Sequence, residues 1–172
     1  LITQSLEELF QDHYLYAAIM VDDKWDGSAS GVPPEVRSCV DDLNRWGSSP
    51  HVPLTLAVLK ALVDGFVDAK SAEDSLRSLL SFLVRRSLSG LLTNNLNRIL
   101  TPVTHAYSEA VAGRRQVEPV GADPLTSLLL AADSWPTNDE LVEAIDVPVF
   151  KRLTRSQITF ILSRIADSEG WS

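Results

Sequence analysis

The chain has 172 residues, a formal charge of −8, 45% hydrophobic side chains and one cysteine. That length suits one domain, or two small helical subdomains, with a core of its own. The lone Cys39 excludes an internal disulfide and points to the cytoplasm, the acidic balance excludes a surface that is basic overall, and no apolar run approaches the roughly 20 residues that span a bilayer.

The chain opens on Leu1 with neither a basic nor an apolar leader pattern, and reads as a piece excised from a longer multidomain protein. Ser5 and Glu8 have capping-box spacing. Leu6, Leu9, Phe10, His13, Tyr14, Ala17 and Met20 recur every three or four residues, which predicts an amphipathic helix over 5–21 with these residues as its apolar stripe. His13 on that stripe reads as a core or boundary histidine. Glycines and serines then make 22–33 a loop.

Pro34 suits the first turn of a second helix, with Val36, Val40, Leu43 and Trp46 as its buried stripe and 47–50 as its stop. The third segment, 53–66, is apolar on most sides and should be the central helix. Ser71 and Asp74 are spaced to open a fourth helix, which turns Leu76, Leu79, Leu80, Leu83, Val84 and Leu88 inward and ends on Arg85 and Arg86.

A fifth helix begins near Thr93 and Asn94 and carries Leu96, Ile99, Leu100, Val103 and Tyr107. Pro102 lies inside it and predicts a kink or a break. After Gly113 a polar connector fills 114–121. Asp123 and Pro124 cap a short helix to 133, 135–138 start another that runs to about 145, and Thr154 opens the last, with Ile158, Ile161, Leu162 and Ile165 at helical spacing.

No segment alternates with period two between turn pairs, so a sheet is not expected. The predicted class is all-α, an irregular helical bundle of about eight helices in one domain over 1–172, with 1–113 and 122–172 as its subdomains if it divides.

Catalytic chemistry is hard to find. His13, His51 and His105 have no partners at metal-ligand spacing, so no metal site is expected. His105 and Glu109 form an i,i+4 pair of the kind that decorates helix surfaces. Cys39 has no histidine base near it in sequence and reads as a buried inert thiol. No glycine-rich phosphate loop is present. Acidic pairs such as Asp139 and Glu140 sit at helix starts, where they complement the dipole.

The cations cluster at Arg85 and Arg86, Arg98, Arg114 and Arg115, and the run Lys151, Arg152 and Arg155. Presented on one side, those of helices four, five and eight would make a phosphate-facing stripe, because guanidinium forks match phosphate oxygens. The structural alternative for Arg85 and Arg86 is that one binds helix-end carbonyls or a carboxylate while the other meets water. Trp25, Trp46, Trp135 and Trp171 are too dispersed for a base-stacking platform.

In order, the chain shows Tyr14-x-x-Ala17, Pro53-Leu54, Phe82-Leu83-Val84-Arg85-Arg86, Asn95-Leu96-Asn97-Arg98-Ile99-Leu100, Trp135-Pro136-Thr137-Asn138-Asp139-Glu140-Leu141 and Ile158-Thr159-Phe160-Ile161-Leu162-Ser163-Arg164-Ile165. This series resembles the helical region of the GmrSD-type nucleases, whose relatives include the SspE-like phosphorothioation-sensing antiphage proteins. The likeness covers nearly the whole chain, through short and degenerate motifs.

In that family an N-terminal module with an Asp-Gly-Gln-Gln-Arg motif hydrolyses nucleotide and a C-terminal HNH module cuts DNA, with a helical stretch between them. The resemblance implies that this chain is the middle stretch, which positions and couples the two modules. Neither catalytic motif is present, so no catalytic residue transfers. The nucleotide and divalent metal belong to the parent, and no cofactor is expected here. The implied partners are the flanking modules and DNA, with Arg85, Arg86 and Arg98 as the DNA or interdomain contacts. Two rivals remain: a free-standing helical interaction domain, and a small enzyme with a pocket built from His13, His51 or Cys39.

Overall fold

A computed structural model of the chain describes residues 2–21, 25–91, 93–117, 123–132, 135–145 and 151–169. The described residues form eight α-helices, three short 3-10 turns and no strand: α1 (Ile2–Met20), α2 (Pro34–Trp46), α3 (Val52–Val63), α4 (Ala69–Leu88), α5 (Leu96–Val111), α6 (Pro124–Ala131), α7 (Asn138–Ile145) and α8 (Arg155–Glu169). The all-α class is as the sequence predicts. Trp171, residues 22–24 of the predicted loop and residues 118–121 of the predicted connector lie outside the described residues.

Two helices organise the rest. α3 lies between α1, α4 and α5, and α4 lies against α2, α3, α6 and α7. Leu54, Val58 and Leu59 of α3 and Leu76, Leu79, Phe82 and Leu83 of α4 lose essentially all contact with water, and each such burial contributes on the order of 2 kcal/mol. On α2 the predicted stripe of Val36, Val40, Leu43 and Trp46 is buried, and Cys39 joins it. Trp46 meets Phe160 of α8 edge to face at 5.8 Å, which holds the last helix on the body.

Several local expectations are corrected. α1 already includes Ser5, so Ser5 is an internal residue and not the cap. α4 is capped by Asp68, whose carboxylate accepts the Ser71 N–H at 2.7 Å, and so begins earlier than the Ser71 and Asp74 pattern implied. The break offered as one outcome at Pro102 does not occur: α5 runs through it as one helix. That residue is exposed on the helix surface, where water can satisfy the carbonyl a proline leaves free.

The largest correction concerns α1. Its inward residues are Leu15, Ala18 and Ile19, while the predicted stripe of Leu6, Leu9, Phe10, His13, Tyr14 and Met20 is exposed. Polar anchors fix this orientation. Lys60 of α3 pairs with Asp12 at 2.7 Å, Gln11 donates to Asp64 at 2.9 Å, and Asn44 of α2 donates to the Ile19 carbonyl at 2.7 Å. With about 100° between successive residues, a helix held by positions 11, 12, 15 and 19 must turn positions 6, 9, 13 and 20 away from the body.

Candidate functional site

The end of α4 brings together three of the cations singled out from the sequence, Arg85, Arg86 and Arg152. The helix closes in a Schellman turn: Leu91 N–H donates to the Arg86 carbonyl at 3.0 Å and Gly90 N–H to the Ser87 carbonyl at 3.1 Å. Gly90 takes φ of 72°, the left-handed conformation that makes glycine the fitting residue of the turn, and the Arg152 guanidinium lies across it, 2.7 Å from where a Cβ would stand.

Arg85 and Arg86 point in different directions from this turn. Arg85 reaches the start of α7, donating to the Pro136 carbonyl at 3.0 Å and the Asn138 side chain at 2.6 Å. Arg86 is buried. It donates to Asn95 at 3.0 Å and lies over the Phe82 ring, 5.5 Å from its centre. Burial lowers its pKa from the ordinary arginine value, yet an arginine stays charged at physiological pH. Both side chains thus serve contacts within the chain. Phe82 also packs on Trp135, so the segment leading into α7 is held by an aromatic contact as well as by Arg85.

A second buried polar cluster joins α4 to α6. Asp123 caps α6, accepting from the N–H groups of Leu125 and Thr126 and from the Thr126 hydroxyl, and it also accepts the Ser75 hydroxyl of α4 at 2.6 Å. Burial pushes the nearby Tyr107 hydroxyl up to about 12, so it stays a neutral phenol.

Arg98, the third predicted contact, is exposed and lines a hollow of about 440 Å³ with Arg115 between α5 and α6. It does not join the α4 pair. Two further hollows of about 570 Å³ each adjoin the first turn of α8. One is lined by Ser48, Ser49, Ser87, Arg152, Thr154 and Gln157, the other by Arg45, Arg155, Ser156, Thr159 and Ser163. Arg45 and Arg155 are exposed, and no carboxylate pairs with either among the described residues.

At the α2 and α8 edge, as beside Arg98 and Arg115, the described residues leave guanidinium forks free to meet an anion. Sequence reasoning found Arg152 and Arg155 but missed Arg45, which is separated from them by more than a hundred residues and arrives only because α2 packs on α8. Thr154 and Gln157 cap each other's backbone N–H groups at 3.0 and 3.3 Å, so the α8 N-terminus has already spent part of its donor capacity.

The groups proposed for catalysis do not assemble. His13 is exposed on α1, His51 is buried with Nδ1 3.1 Å from the Thr55 hydroxyl, and Cys39 is buried in α2 with its pKa raised by burial. His105 and Glu109 form an exposed pair at 3.5 Å. Among the described residues no group of three or more His, Cys, Asp or Glu is placed to hold a metal, and no helix is long and apolar enough to cross a membrane. No family model, curated protein or solved structure matches the chain.

Proposed function

We propose that this chain is a non-catalytic helical segment of a GmrSD/SspE-like modification-dependent antiphage nuclease, positioning and coupling a nucleotide-hydrolysing module and an HNH nuclease module. The observation that carries the reading is the Arg85 latch. The arginine pair on which the family resemblance rests sits where α4, a central helix, grips the segment entering α7. A displacement at one end of the chain would pass through α4 to the other. DNA contact, in this reading, falls to the α2 and α8 edge through Arg45, Arg152 and Arg155 rather than to Arg85 and Arg86, which are occupied.

Two tests bear on it. The reading frame on either side should encode the Asp-Gly-Gln-Gln-Arg module upstream and the HNH module downstream. In the parent protein, Arg85→Ala should reduce the dependence of nicking on nucleotide while leaving hydrolysis itself intact. Flanks with neither motif, or full coupling in a folded Arg85→Ala protein, would sink the proposal. The second reading is a free-standing helical interaction domain, favoured by the apolar face that α1 turns outward. It expects partner binding that does not depend on DNA.

A further inference from the structure

α1 exposes a heptad seam. On its outward face Leu6, His13 and Met20 recur every seven residues, and so do Leu9 and Tyr16 and the flanking pair Phe10 and Ala17. A strict seven-residue repeat is the pattern by which a helix receives a second helix laid along it. Leu6, Leu9, Phe10, Tyr16 and Met20 remain 49%, 65%, 63%, 48% and 53% exposed. Together they present on the order of 600 Å² of apolar surface, the upper end of what an ordinary monomer leaves bare. That approaches the roughly 800 Å² each partner gives to a standard interface.

The seam is also self-complementary. Turned antiparallel about His13, Leu6 meets Met20 of a second copy, Leu9 meets Ala17, Phe10 meets Tyr16 and the two His13 rings meet at the axis. Leucines fall opposite a flexible methionine and a small alanine, and the Phe10 and Tyr16 rings fall opposite each other. No Asp, Glu, Lys or Arg lies on the stripe: Asp12 is held at its side by Lys60, and Glu7 and Glu8 lie well round the helix from it. Two copies would thus bring no like charges face to face.

We infer that α1 is a dimerisation helix, pairing antiparallel with α1 of a second copy across a two-fold axis at His13. This concerns the chain itself and stands apart from the nuclease reading, which is tested on the parent's flanks and coupling.

Sedimentation equilibrium of the 172-residue chain should show a monomer–dimer equilibrium at tens of micromolar. Phe10→Glu should weaken it at least about tenfold, the change expected when a central apolar anchor becomes charged. Because position 10 is exposed, the variant should keep the wild-type circular dichroism and melting of the monomer. Under mild oxidation His13→Cys should form a cross-linked dimer and Leu6→Cys should not, because only position 13 meets itself in the antiparallel register. A wild-type chain that stays monomeric, a dimer indifferent to Phe10→Glu, or cross-linking through position 6 would each overturn the inference.

Discussion

Arg85 on α4 and Asn138 at the first position of α7 are joined by a 2.6 Å hydrogen bond across 53 residues of sequence, while the adjacent Arg86 turns into the core. Neighbouring residues on a helix are about 100° apart, so an Arg-Arg pair at the edge of a buried face places one side chain inside and one along the rim. The pair therefore does two different jobs.

For Arg85 the job is attachment of α7. Arg85→Ala removes two charge-assisted bonds at a partly exposed position, and the expected loss is about 1 kcal/mol after screening by water. Amide exchange in α7 should accelerate more than in α3. Equal protection of α7 in wild type and variant would show that the Phe82 and Trp135 contact alone suffices.

The job of Arg86 is packing. Arg86→Ala should cost about 2–3 kcal/mol, because it strips a hydrogen bond from Asn95 and opens space beside Phe82. Arg86→Met keeps most of the volume and removes the buried charge, so it should cost less than the alanine variant. Urea titrations of the two variants decide the order.

Asp123 is the clearest single point of failure between α4 and α6. Asp123→Ala loses a helix cap and leaves the Ser75 hydroxyl without its acceptor, which together should cost about 2–3 kcal/mol. Asp123→Asn keeps one accepting oxygen and should retain part of that stability. Denaturant midpoints at constant slope would check both.

His51 makes stability depend on pH. Burial lowers its pKa to about 4, against about 6.5 for an unfolded histidine. The unfolded chain therefore binds the extra proton first as pH falls. The stability from keeping His51 neutral is complete above about 6.5 and is lost progressively down to about 4. By pH 5 the loss should be about 2 kcal/mol. Unfolding curves at pH 7 and pH 5 should show it in the wild type, and His51→Phe should flatten this part of the profile. An identical slope in the variant would mean that carboxylates elsewhere are responsible.

The helices themselves were legible because apolar spacing and capping chemistry are local. Thr137 and Glu140 close a capping box at 2.8 and 3.2 Å, Asp123 caps α6, and Gly47 stops α2 at φ of 76°, each where the sequence signals it. Periodicity also identified the inward stripe of α2 correctly. On α1 it failed, because it reports that a helix has an apolar side without saying which side meets the body. Gln11 and Asp12 look like solvent-facing residues until Asp64 and Lys60 are brought to them.

The candidate sites divide in the same way. Sequence alone determined an all-α chain, the eight helices of the described residues, the absence of familiar catalytic motifs and an arginine pair at the end of a buried helix, since these follow from short-range spacing and side-chain chemistry. Only the tertiary structure decided that Arg86 is buried, that Arg85 holds α7, that Arg45 joins Arg155, and that the apolar stripe of α1 faces outward. Those outcomes depend on contacts between residues tens to more than a hundred positions apart, and the direction of a side chain is fixed by the helix packed against it.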